Sequence, residues 1–316
     1  MWLLLKYTLL YAAVLILVAL GGMFSERSGV INIALEGIMV IGGLMGVVMI
    51  NILNGVGVPV FLGILLAIIA AGVAGAAYSS LLAFSAINLK ADQTIGGTAL
   101  NLLATAVAMV IAKRINGSDS PKITYSTNTN AVLNSSSFSF QIGPLTLNYF
   151  LIVTILAIAA AWFILYRTRF GMRLMACGEH PQAADSVGIN VYKMRYIGVC
   201  ISGFLAGIGG LAFTVAAGSG FQSTVAGYGF LALAVMIFGN WKPLSILGAS
   251  VFFAFFKIIG SYSSSIPFLP SFEGVKSSEY IYLMLPYLVT MILLVLTSKK
   301  SRAPKAEGIP YDKSTR

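Results

Sequence analysis

Long apolar runs, separated by short polar stretches, fill most of this chain. An α-helix rises 1.5 Å per residue, so about 20 apolar residues cross a hydrocarbon core about 30 Å thick. Nine segments approach that length: 3–23, 30–50, 58–84, 93–112, 149–166, 196–217, 225–240, 244–260 and 280–297. The pattern predicts an all-α integral membrane protein, a polytopic bundle of about nine transmembrane helices over residues 1–298, followed by a basic tail, 299–316. The N-terminal run MWLLLKYTLLYAAVLILVALGGMF is expected to be the first span, because it is too long for a signal peptide and no small-residue cleavage pattern follows.

One charged segment interrupts the pattern on a large scale. Arg167 to Arg195 holds five Arg and Lys residues around a central Gly178-Glu179-His180-Pro181. A charge at mid-bilayer costs roughly 2.5–3.5 kcal/mol, so the segment is expected to face water, and its sign places it in the cytoplasm. Four crossings over 196–298 then return the chain to the cytoplasm where Lys299-Lys300 begins. Counting backwards puts the Ser/Thr/Asn-rich loop, 113–148, outside, and an odd count puts Met1 outside. Lys113-Arg114 then sits at an outer helix end, which snorkelling accommodates.

Composition agrees: 58% of residues are hydrophobic and 9% charged, against about 25% charged in a soluble domain, and mean hydropathy is +0.90. The net charge of +10 collects in 167–195 and the tail, the positive-inside bias of a membrane protein, and predicts no nucleic-acid partner. Cys177 and Cys200 give no disulfide framework. No metal-ligand spacing or intramembrane carboxylate pair occurs, the single His180 lies in the basic loop, and there is no phosphate-cradling G-x-x-x-x-G-K-[ST]. The chain is expected to be no enzyme and to bind no cofactor, with any ATP and Mg held by a separate subunit.

Two segments read as interrupted helices, Ser28–Gly37 and the Gly218–Gly229 run before the short apolar piece ending at Asn240; such paired breaks mark either a substrate path or ordinary turns between spans. Glu36 lies at membrane depth, where an ionisable group pairs structurally, here with Arg27, or lines a path. Asp92 serves as the N-cap of the helix starting at Gln93, or at the mouth of a path. Gln93, Thr94, Thr98 and Asn101 recur at helical spacing and should face protein or water. Gly42-xxx-Gly46 and Gly203-xxx-Gly207 are sites of close helix approach. In the basic loop, Pro181 suits a first helical turn, Ala183 and Ala184 give a compact surface, and Gly188 suits a left-handed terminus. The expectation is a small helix projecting from the membrane as a docking knob.

With Gly171, Arg173, Ala176, Gly178, Ala183, Ala184, Gly188 and Ile189 spaced as they are, and with SGFLAGIGG following over Ser202–Gly210, the chain resembles the permease subunits of bacterial ABC importers that handle branched-chain amino acids, ribose and nucleosides. The early element Ser25-Glu26-Arg27-Ser28-Gly29-Val30-Ile31-Asn32-Ile33-Ala34-Leu35-Glu36-Gly37 is similar to that of nucleoside permeases working with basic-membrane-protein-type lipoproteins. The resemblance implies a multi-pass protein of the bacterial plasma (inner) membrane with a cytoplasmic C-terminus. It implies three partners: a cytoplasmic ABC ATPase, a second, homologous permease chain and a substrate-binding lipoprotein. It also implies a coupling helix, with Gly171, Arg173, Gly178, Glu179, His180, Pro181, Ala183, Ala184 and Gly188 as ATPase-coupling residues. A neutral nucleoside needs aromatic surface and a few amide or hydroxyl partners, which Asn32, Glu36, Gln93, Thr94, Asn101, Phe221 and Tyr228 supply. The alternatives are a sugar or branched-chain amino acid carried by the same class, or an ion-coupled secondary transporter using Glu36 or Asp92.

Overall fold

The computed structural model describes residues 2–125, 133–142, 145–261 and 302–313, with isolated helical positions at 284, 288, 291, 292 and 295. Apart from those positions, the expected span 280–297 lies outside the described residues. The chain runs α1 (Trp2–Arg27), α2 (Leu35–Val56), α3 (Val60–Ala83), α4 (Gln93–Asn116), a hairpin of β1 (Ser139–Ile142) and β2 (Leu145–Asn148), α5 (Tyr149–Arg167), α6 (Arg169–Glu179), α7 (Pro181–Ser186), α8 (Val191–Ala217), α9 (Tyr228–Phe238) and α10 (Pro243–Ser261). Among the described residues, seven helices are long and apolar enough to cross a membrane: α1 to α5, α8 and α10. The helical expectation holds for each, with two corrections.

The first concerns 30–50, where helix begins only at Leu35, because the non-helical residues 28–34 are held by turns and by Gln93 and Asn101 of α4, which bind the backbone of Ile31 and Ile33. The second concerns 225–240, where only the 11 residues of α9 are helical. They reach about 16 Å, half the hydrocarbon thickness. Left-handed backbone at Gly218, Gly220, Ser223, Ala226 and Gly227 keeps the preceding stretch from coiling. Outside the spans, β1 and β2 pair antiparallel, Ser139 opposite Asn148 and Ile142 opposite Leu145, so the chain is not purely α-helical; Ser139-Phe140-Gln141-Ile142 carries the two-residue alternation of a strand. At the C-terminal end of α4, Lys113 Nζ lies 3.6 Å from Asp119 Oδ1.

Helix α8 is the centre of the bundle, packed against α1, α2 and α3. Its small residues permit this. A methyl group at Gly207 would lie 2.3 Å from the Ala71 carbonyl oxygen of α3, and one at Gly210 would lie 1.9 Å from the Met39 carbonyl oxygen of α2. Gly42 meets Gly207 at the same crossing, and Gly75 meets the Gly203 carbonyl. Helix backbones in contact gain dispersion energy that lipid cannot match, so the glycine pairs serve packing.

Candidate functional site

The two interrupted segments meet inside the bundle. Three amide side chains hold the first break open. Gln93 Oε1 accepts from Ile31 N at 2.7 Å, Asn101 Oδ1 accepts from Gly37 N at 2.7 Å, and Asn101 Nδ2 donates to the Ile33 carbonyl at 2.9 Å. On the other side Asn32, fully buried, donates from Nδ2 to Ser202 Oγ at 2.8 Å. Asn101 stands eight residues into α4 and Ser202 eleven into α8. At 1.5 Å per residue the break therefore climbs about 12–16 Å from the basic face. Residues without helical bonds at that depth need such partners, because hydrocarbon offers none.

Glu36 follows at this level. Its Oε1 accepts from Gly227 N at 2.8 Å and its Oε2 from Gly229 N at 2.7 Å. The carboxylate therefore caps the half-helix α9, where orphan amides and the positive end of the helix dipole converge. The approach is tight: a methyl group at Gly229 would lie 2.5 Å from Glu36 Cα. The expected Glu36–Arg27 pair does not form; Arg27 instead donates from Nη2 and Nε to the Trp241 carbonyl at 2.9 and 3.2 Å. The non-helical residues 28–34 lie between Arg27 and the start of α2.

The remaining path candidates divide. Tyr228, between the two capped glycines, is buried, stacks on Tyr11 at 5.3 Å between ring centroids and lies 4.9 Å from Phe213. The Lys257 ammonium sits 5.6 Å from its ring centre. Phe221 belongs to the other side, where its backbone exchanges two 2.9 Å hydrogen bonds with Ile123. The expected polar stripe on α4 splits: Gln93 and Asn101 are buried, whereas Thr94 and Thr98 face outward, Thr98 Oγ1 bonding the Thr94 and Ile95 carbonyls of its own helix. Intervals of four and three residues continue the buried line through Gly97, Ala104 and Ala108, so Thr94 and Thr98 stand one step round the helix. Asp92 is an N-cap, its Oδ1 accepting from Thr94 N and Ile95 N at 2.8 and 3.0 Å.

On the basic face, 167–195 is more ordered than a loop. Thr168 caps α6, accepting from Gly171 N at 3.2 Å, and Gly171, Leu174, Cys177 and Gly178 form its buried side. Burial pushes the Cys177 thiol up to about 11, so it stays protonated and serves as a small apolar residue. Gly178 is pressed on the end of α1, where a methyl group would lie 2.3 Å from the Arg27 carbonyl oxygen. Pro181 opens α7 and Gly188 is left-handed, φ 82°. Ala184 is buried within the chain itself, so the outward surface of the knob is Gln182, Ala183, Ser186 and Val187, with His180 exposed and Glu179 half-buried beside it. Val187, missed in the sequence, is 74% exposed, and Arg173 also faces outward.

Two further features were not read from the sequence. Arg195 is 1% exposed, a correction to the water-facing expectation; its Nη1 donates to the Ile309 carbonyl at 3.0 Å. Residues 302–313 of the expected tail lie along the same face as 167–195. Ala306 N donates to the Gly178 carbonyl at 2.8 Å, Arg302 N to Asn240 Oδ1 at 3.0 Å, and Tyr311 packs on Tyr192. Beneath them Trp241 Nε1 donates to Glu26 Oε2 at 2.6 Å. Asn240 and Trp241 are both left-handed, φ 50° and 52°, which costs non-glycine residues roughly 1–2 kcal/mol each. Such strain persists only where surrounding bonds over-determine it, and Glu26, Arg27 and Arg302 supply those bonds.

Comparison with known proteins agrees with this architecture. The chain is 42% identical to the guanosine ABC transporter permease protein NupQ of Bacillus subtilis, over 98% of this chain and 96% of that one. It is 39% identical to the nucleoside ABC transporter permease protein NupC of Lactococcus lactis, over 97% and 95%. A second nucleoside ABC transporter permease protein of the same organism, NupB, is 27% identical over 54% of this chain and 45% of its own length. Residues 4–296 match the family described as the permease component of the branched-chain amino acid transport system. The chain is a multi-pass membrane protein of that permease family.

Proposed function

We propose that this chain is a membrane-spanning permease subunit of an ATP-driven importer that carries nucleosides across a bacterial plasma membrane. One observation carries the transport reading: two interrupted segments meet about halfway across the bundle, with Glu36 capping the half-helix α9. Breaks of this kind are tolerated at membrane depth where they line a path. The substrate class is supported by the two full-length relatives named for guanosine and nucleoside transport. It also agrees with the chemistry at the junction. The half-helix terminus is already occupied by a carboxylate, which disfavours an anionic solute, while Tyr228 and neighbouring aromatics suit a flat base. Gln93 and Asn101 shape this path through the backbone they hold, Asn32 through its bond to Ser202, and Glu36 through α9.

Coupling is assigned to Gly171, Arg173, Gly178, Glu179, His180, Pro181, Ala183, Ala184 and Gly188. Gly171, Gly178, Pro181, Ala184 and Gly188 set the shape of the knob; Arg173, His180 and Ala183 belong to its outward side with Val187. An ABC ATPase, holding ATP and Mg, docks there from the cytoplasm, where the C-terminus also lies. Nucleotide-driven closure of that ATPase favours the two membrane conformations in turn. The second permease chain is of another kind, as the unequal similarity to NupC and NupB suggests, and a lipoprotein delivers the nucleoside. The test is uptake of labelled guanosine, adenosine, uridine, ribose and leucine in cells with and without the gene. Loss confined to nucleosides is expected; loss of ribose or leucine uptake instead overturns the substrate assignment.

A further inference from the structure

The knob and the half-helix α9 are joined through one continuous set of contacts on the basic face. Ala306 N is bound to the Gly178 carbonyl at the end of α6. The next residue, Glu307, lies against Glu26. Glu26 Oε2 accepts from Trp241 Nε1, and Trp241 stands three residues beyond the last residue of α9. The Trp241 carbonyl is in turn gripped by Arg27, one residue after Glu26, and Arg302, earlier in the same C-terminal strap, binds the Asn240 side chain.

We infer that residues 302–313 are a working part of the coupling machinery: they link the α6–α7 knob to the left-handed Asn240–Trp241 turn and thereby to the lower end of α9. The inference rests on the transport reading above. The turn holds two consecutive non-glycine residues in left-handed backbone, a conformation that relaxes when its bonds are withdrawn. It is therefore an element with a held and a released arrangement, which coupling between distant sites requires. A knob drawn toward the ATPase pulls on Gly178, the strap follows through Ala306, and the Glu26–Trp241 and Arg302–Asn240 bonds are the ones loaded. With its upper end capped by Glu36, α9 is clamped at both ends and its lower clamp is the one the knob reaches. Glu26, Trp241 and Glu307 are positioning residues, remote from the solute.

The test uses the whole transporter, this chain with its ATPase, partner permease and lipoprotein, reconstituted in vesicles, and measures guanosine moved per ATP hydrolysed. Trp241→Phe keeps the ring and removes the donor; a second chain ends at Ser301. Both are expected to assemble and hydrolyse ATP, with transport per ATP falling about 5-fold for Trp241→Phe, the usual weight of a single intramolecular hydrogen bond, and further for the truncation. Because both act on one link, the double variant should resemble the truncation alone. Strictly additive losses, or an unchanged ratio in Trp241→Phe, overturn the link. A truncated chain that fails to assemble is decided by the Trp241→Phe ratio. If the unaltered transporter moves leucine or ribose but no guanosine, the substrate assignment fails and the same ratio is read with that solute.

Discussion

Single residues settle where backbone can approach backbone and where a charge can sit. At Gly210 an added methyl group would lie 1.9 Å from the Met39 carbonyl oxygen, whereas at Gly248 it meets nothing within 4 Å. Gly210→Ala is expected to lower stability by about 1–3 kcal/mol through forced separation of α2 and α8, and Gly248→Ala to leave it unchanged, as thermal unfolding in detergent will show. Glu36 satisfies two backbone donors at the start of α9. Glu36→Ala leaves both orphaned and should reduce uptake at least 10-fold with about 2–3 kcal/mol lost, while Glu36→Gln, which keeps one acceptor oxygen, falls between. Parallel uptake and unfolding measurements on the two variants check the order. The polar identity of Glu36, Asn32 and Asn101 was legible in sequence. Their partners were not, because the groups they bind lie up to 193 residues away.

At the scale of elements, periodicity located most helices, because a span must be a long apolar run and has few ways to be anything else. It failed where other elements decide the outcome. The first turn of 30–50 is prevented from coiling by Gln93, Asn101 and Ser202, and 225–240 is shortened at its start by left-handed Ala226 and Gly227. Helix α6 was legible in hindsight, since its buried residues Gly171, Leu174 and Gly178 recur at helical intervals. The knob itself obeyed local signals, Pro181 to start it and Gly188 to end it. Its orientation did not: Ala184, the obvious position to disrupt docking, faces the chain's own core. Val187→Asp is the cleaner probe. It should leave membrane abundance and folding unchanged, since Val187 is 74% exposed, yet abolish transport. Gly188→Val should cost about 1–2 kcal/mol at φ 82° and weaken transport together with knob order; proteolytic protection of 180–190 alongside uptake separates the two effects.

At the scale of the whole molecule, the basic face is closed by the strap. Glu307 is pushed above the ordinary carboxylate value by burial, beside Glu26. A raised carboxyl pKa means that the docked strap binds protons more readily than the free one. Docking is therefore strongest below the usual value of about 4.3 and weakens as pH rises through the higher, docked value. Cleavage after the exposed Lys305, followed with a protease active across that range and corrected for its own pH profile, should increase with pH in the unaltered chain. Glu307→Gln should flatten the dependence. No pH dependence in either chain would place the proton elsewhere.

The sequence by itself determined the solvent. Fifty-eight per cent hydrophobic residues in span-length runs leave a helical membrane bundle as the arrangement that pairs its backbone groups, and the basic segments fix which ends lie together. It also determined the local punctuation, the cap at Asp92 and the start and stop of α7, because those signals act within a few residues. Only the tertiary structure decided that the two breaks meet at Glu36, that Arg195 is buried and that the C-terminal segment returns to grip α6 and the end of α9. Each of these joins residues far apart in sequence, where periodicity and propensity carry no information and the geometry of packed helices does.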